Sequence, residues 1–247
     1  MTVFSIDVSD VWKSFKLPHQ RQDTFKERFL HPFHHVEVEQ LHALKGVSFS
    51  IEQGEFFGII GPNGSGKSTL LKLLAGIYVP ERGDMTVIGR LSPFVELGVG
   101  FNEELSARDN VRVNGALLGL TMRQIEERYD EIVAFAGLER FMDQKLKNFS
   151  SGMKVRLAYS VSIRVEFEIL LLDEVLAVGD QEFQEKCFET LETIRSQGKT
   201  IVFVSHDVDA MEKQCDRVMR LYRGEIVEIG PPDEVIERYM ATTHSMG

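Results

Sequence analysis

The sequence predicts an α/β protein: a core of parallel strands around a phosphate-binding loop, with a helical lobe beside it. Three observations lead there. The stretch GPNGSGKST, residues 61–69, fits G-x-x-x-x-G-K-[ST] in full and sits between a strand-like run, FFGII, and the helix-like TLLKLLAGI. Later, EILLLDE, TIVFVSHD, RVMRLY and EIVEIG read as parallel-sheet strands, the first two separated by an amphipathic helix. From about residue 105 to 165 the pattern is helical instead.

In chain order, IDVSDVWKSF and GVSFSI read as strands flanking a 24-residue insertion, Leu17 to Gln40. The insertion carries the helix-like DTFKERFL and the cluster HPFHH. No acidic or Cys residue completes a ligand set with His31, His34 and His35, so an aromatic loop is the reading rather than a metal site. EQGE turns the chain into FFGII, and VPERGDMTVIGR reads as a strand entered through the ERGD turn. Ser106 with Asp109, and Thr121 with Gln124, have capping-box spacing. Ile125, Tyr129, Ile132 and Val133 make one apolar face, and Gly137 stops that helix. Phe183, Cys187, Phe188, Leu191 and Ile194 share a face of the helix between the first two late strands.

The whole chain, 247 residues with 43% apolar and 27% charged, fits one soluble domain or two small lobes sharing a core. No run approaches the roughly 20 apolar residues of a membrane span, and MTVFSIDVSDVW lacks the order of a signal peptide. A cytosolic protein is expected, with any membrane role arriving through a partner. Cys187 and Cys215 have no metal spacing and read as reduced thiols. The net charge of −10 disfavours nucleic-acid binding.

Chemistry concentrates in three places. In the loop Gly61, Pro62, Asn63, Gly64, Ser65, Gly66, Lys67, successive N–H groups can wrap a phosphate, because glycines let the backbone approach closely. Lys67 would neutralise β/γ-phosphates and Ser68 would hold Mg²⁺, with Thr69 a weaker ligand. EILLLDE puts Asp173 and Glu174 at the carboxyl edge of a buried strand, Asp173 for the Mg²⁺ shell and Glu174 to orient or deprotonate water. TIVFVSHD presents His206 at a comparable edge position, where it could hydrogen-bond a γ-phosphate and the water.

The set GPNGSGKST, NFSSGMKVRLAYS, ILLLDEVLAVGD and VSHD, in that order, resembles the nucleotide-binding subunit of ABC transporters from about residue 4 to 240. The resemblance implies a RecA-like core with an antiparallel β-subdomain and a helical lobe, all within one domain over 1–247. It implies a head-to-tail dimer with two ATP molecules between subunits. The signature loop, Phe149 to Met153, would close on the other subunit's ATP through Ser150, Ser151 and Gly152, where Ser151 and Met153 replace the usual glycine and glutamine. The usual glutamine after the β-subdomain is absent from FVELGVGFNEEL; Glu96 takes its place best, as a group near Mg²⁺, and Asn102 is second. AVGD keeps its acid as Asp180. Phe15, or alternatively Trp12, would stack on adenine.

These departures, with the long insertion, are similar to the branch that exports polysaccharides such as O-antigen, teichoic acid, capsule or galactan. That likeness implies an ATPase on the cytoplasmic face of the inner membrane, paired with two copies of a permease and driving a lipid-linked glycan across. Some members add a C-terminal glycan-binding domain. The chain ends at Gly247 after PPDEVIERYM, so no binding of free polysaccharide is expected.

Overall fold

The computed structural model describes residues 3–18, 38–94, 100–173 and 181–244. DTFKERFL, the three insertion histidines, Glu96, Glu174 and Asp180 lie outside them.

Strands β1 (Phe4–Pro18), β2 (Val38–Glu52) and β4 (Arg82–Val87) form an antiparallel sheet ordered β2-β1-β4. The ends of the insertion belong to this hairpin, since Phe15 pairs with Leu41, Lys16 with Gln40 and Pro18 with Val38. β4 starts inside the expected ERGD turn, at Arg82.

The larger sheet has the order β5-β6-β7-β3-β8-β9, where β3 is Phe56–Ile60, β5 Leu91–Phe94, β6 Ile169–Asp173, β7 Thr200–Val204, β8 Arg217–Tyr222 and β9 Glu225–Gly230. One expectation is corrected here and one strand is added. EIVEIG runs antiparallel to β8, because only Arg223 and Gly224 link the pair and a parallel crossover needs a dozen or more residues. LSPF is an additional strand, pairing parallel with β6; it hides in the sequence because Pro93 breaks a strand pattern, and the proline is tolerated at this sheet edge.

Alternation along the central strands builds two cores. Phe57, Ile59, Leu171, Val202 and Val204 pack with Leu70, Leu71 and the inward residues of the antiparallel sheet, Ile6, Val8, Leu44 and Ile51. Phe56, Ile60, Leu170, Leu172, Ile201 and Phe203 face the opposite helices. Those helices include α4 (Ser151–Ser162), α5 (Gln181–Ser196), α6 (Val208–Gln214) and α7 (Pro232–His244). On α5, Phe183, Cys187, Leu191 and Ile194 are buried and Phe188 packs alongside, as the apolar face requires.

A third core joins α2 (Ala107–Leu117), α3 (Met122–Ala136) and α4. Ser106 caps α2 by accepting from Asp109 N, and the Thr121–Gln124 capping box opens α3. Gly137, at φ 64°, ends α3 in a left-handed turn that favours glycine. Helix α4 serves two cores: Ala158 and Tyr159 face the sheet while Leu157 and Val161 face α2 and α3. The sheet and the helical stretch are thereby joined along one element. No helix among the described residues is long and apolar enough to cross a membrane.

Candidate functional site

β3 lies between β7 and β8, so the loop leaving it stands at the carboxyl edge of the sheet, followed by α1 (Lys67–Leu74). That edge is where ligands of open α/β sheets bind. The loop is tied down by its backbone: Ser65 N donates to Pro62 O at 3.1 Å, and Gly224 N of the β8–β9 turn donates to Ser65 O at 2.9 Å. Gly66 has φ 112°, and a Cβ on it would lie 2.5 Å from the Ala43 carbonyl oxygen. Only glycine fits so close to β2. Lys67 is 5% exposed, and its Nζ donates to Gly61 O at 2.8 Å and Pro62 O at 3.1 Å.

A cleft of about 510 Å³ opens on this loop. It is lined by the loop and helix start from Asn63 to Thr69, by Asp173, and by Phe15, Leu41, His42 and Ala43 of the antiparallel sheet. Gly61 and Pro62 stand behind it as acceptors for Lys67. The volume is in the range of small-ligand sites. Backbone donors at the start of α1, a buried ammonium, the Ser68 hydroxyl and the Asp173 carboxylate together suit a polyphosphate with a hard cation.

Of the two aromatic candidates, the cleft contains Phe15. Its ring meets Tyr78 edge-on with centroids 5.4 Å apart, and Lys13 Nζ lies 5.6 Å from its centroid. Trp12 does not line the cleft; its Nε1 donates to Asp10 Oδ1 at 2.8 Å and Arg82 lies over its ring at 6.0 Å. Leu41, His42 and Ala43 were not singled out from sequence. They reach the cleft only through the β1–β2 register across the insertion, which no local pattern announces.

Asp173 ends β6 opposite Val204 of β7, and His206 stands two residues beyond Val204, exposed and outside the cleft wall. Asn102 is committed elsewhere: its Oδ1 accepts from Glu104 N at 3.0 Å, and its backbone N and O are both held by Asn110. It closes a turn before α2 and is not among the residues lining the cleft.

Ser150, Ser151 and Gly152 lie at the start of α4, away from this cleft. Ser150 Oγ accepts from Met153 N at 3.2 Å. Around Gly152 the space is open, with Ser150 Oγ at 3.9 Å the nearest atom a Cβ would meet. These residues present helix-end donors outward, where a second molecule can reach them.

A family model described as ABC transporter matches residues 44–177. The O-antigen export system ATP-binding protein RfbB of Klebsiella pneumoniae is 40% identical over 237 residues, covering 95% of this chain and 96% of that protein. The teichoic acids export ATP-binding protein TagH of Bacillus anthracis is 36% identical over 236 residues, covering 96% of this chain but 42% of TagH. Among solved structures, the ATP-binding cassette MJ0796, a dimer bound to ADP and Pi, matches with TM-score 0.74 at 24% identity, over 92% of this chain and 98% of that one.

Proposed function

Because the chain belongs to the ABC transporter family, we propose that it is the ATP-hydrolysing subunit of an exporter moving lipid-linked polysaccharide across the bacterial inner membrane. The observation that carries this reading is near end-to-end similarity to an O-antigen export ATP-binding protein, joined to a cleft built for a nucleoside triphosphate.

In this reading Phe15 stacks on the base while the loop from Gly61 to Gly66 and Lys67 bind the phosphates. Ser68 and Asp173 offer the hard oxygen ligands that Mg²⁺ prefers, and both line the cleft. Bound there, the cation would neutralise charge on the β- and γ-phosphates. Glu96 is the further candidate for that shell. Glu174, adjacent to Asp173 in sequence, takes the proton of the attacking water; His206 steadies the γ-phosphate; Asp180 is a further residue for the nucleotide.

Ser150, Ser151 and Gly152 lie away from the cleft of their own chain. We infer that a second copy supplies Ser150, Ser151 and Gly152 to it, giving a head-to-tail dimer with two ATP molecules. The helical stretch of about 105–165 then acts as a lobe that carries these residues and meets a permease, two copies of which anchor the ATPase at the cytoplasmic face. Free glycan and nucleic acid are not ligands in this scheme.

The test uses gently solubilised native membranes, with tagged Glu174→Gln chain recovered in ATP and Mg²⁺ and its companions identified by mass spectrometry. A polytopic membrane protein encoded beside glycan-assembly enzymes supports export. Recovery of ribosomal or DNA-associated proteins, with no membrane fraction, would replace it with a soluble ATPase role.

A further inference from the structure

A second cleft, about 660 Å³, lies on the other side of the phosphate loop. Pro62 to Ser65 form one wall, and the β8–β9 hairpin with the end of α7 forms the other. We propose that this cleft binds a small aromatic anion, which communicates with the nucleotide cleft through the shared loop.

The walls specify the ligand. Tyr222, Val227 and Tyr239 make an apolar slot, and Val227 is 47% exposed there. Such a surface suits a flat ring. Arg223 stands at the turn with its guanidinium 5.3 Å from the Tyr222 ring, and among the described residues no carboxylate pairs with it. Arg220, by contrast, is already occupied: it is ion-paired with Glu228 at 2.9 Å and donates to Thr242 Oγ1 at 3.1 Å. Arg223 is therefore the cation available to a ligand.

Two details point the same way. Arg223 has φ 48° and Gly224 φ 83°, a two-residue turn whose first position is low in cost for Gly, Asn or Asp and not for Arg. Ser65, 2% exposed, lines both clefts, and its Oγ has no hydrogen-bond partner among the described residues. A buried hydroxyl without a partner is uncommon, and it leaves the loop a donor that a ligand in this cleft can claim once the loop shifts to expose it.

Coupling follows from the connections. Gly224 N donates to Ser65 O, so a ligand clamped by Arg223 bears on the loop that also lines the first cleft. By linkage, such a ligand and a nucleotide change each other's affinity by the same factor.

The experiment titrates the full chain with 1-anilinonaphthalene-8-sulfonate, a sulfonate on an aromatic body, with and without saturating ADP. The expected result is one saturable site per chain that persists with ADP, at an affinity shifted by it. Arg223→Asn keeps a residue suited to the left-handed turn and removes the cation, so binding should weaken roughly tenfold. Val227→Trp, checked for an unchanged circular dichroism spectrum, should fill the slot and abolish binding. Absence of saturable binding overturns the proposal, as does indifference to Arg223→Asn. One-for-one displacement by ADP, or loss of binding when the chain dimerises, overturns it too, by assigning the probe to the first cleft or the surface to a second copy. The ADP arm rests on the nucleotide reading of the first cleft and is checked by titrating ADP alone; saturable probe binding and its weakening in Arg223→Asn do not depend on it, so failure of this proposal and failure of the nucleotide reading are distinguishable.

Discussion

The Lys67 ammonium folds back onto the carbonyl oxygen of Gly61, 2.8 Å away and six residues earlier in the chain. The loop is thus shaped around its own cation, which is buried and already inside the cleft. Lys67→Ala should weaken ATP binding by about tenfold or more and lower hydrolysis by at least about 10²-fold. Calorimetric titration and phosphate release check this; unchanged nucleotide affinity would remove Lys67 from its role.

Gly66→Ala should be more damaging to the fold than its size suggests. The new methyl would meet the Ala43 carbonyl at 2.5 Å in a backbone conformation of φ 112°. Strain of about 1–3 kcal/mol is expected from the dihedral alone. A lowered melting temperature together with lost ATP binding is the outcome; a variant with parent stability would contradict the close packing of the loop against β2.

Phe15 and Trp12 should separate cleanly. Phe15→Ala removes a wall of the cleft, so KM for ATP should rise about two- to tenfold with kcat little changed. Trp12→Ala disturbs the Asp10 and Arg82 contacts of the antiparallel sheet and should lower stability without altering KM. The reverse pattern would reassign the base to Trp12.

Glu174→Gln should bind ATP and stop at the dimer, with hydrolysis reduced about 10²- to 10⁴-fold as expected for loss of a general base. Light scattering after gel filtration with ATP and Mg²⁺ reads the trapped dimer. Hydrolysis at the parent rate would exclude Glu174 as the base.

Burial pushes the Cys187 and Cys215 thiols from an ordinary value of 9.0 up to about 12. Both cysteines are free and buried, so a thiol reagent at neutral pH should label neither until denaturant is added. The raised values also carry a stability consequence. Above pH 9 the unfolded chain gives up these protons first, so the protonated folded state loses its advantage from there up to about pH 12. Melting temperature should decline across that window, and the decline should be shallower in the double Cys→Ala variant. An identical slope would mean that other groups set the alkaline limit.

Local pattern was enough for much of the molecule. The phosphate loop, the strand before it and the helix after it, the Ser106 and Thr121 caps and the α5 face were legible because each depends on residues within a few positions of one another. EIVEIG misled because an apolar strand looks alike in either direction, and only the two-residue turn at Arg223–Gly224 sets its sense. LSPF was hidden by a proline whose missing N–H does no harm at a sheet edge.

The sequence by itself determined an α/β protein with a triphosphate-type loop, because that motif is contiguous and its chemistry is carried by residue type and spacing. Tertiary structure alone decided what faces the loop. Phe15, His42 and Ala43 reach it through strand register across the insertion, Asp173 arrives from a strand more than a hundred residues away, and Arg223 and Ser65 meet in a second cleft behind it. Contacts of that kind follow from which strands become neighbours, and strand order is settled by burial of both sheet faces at once, which no short stretch of sequence encodes.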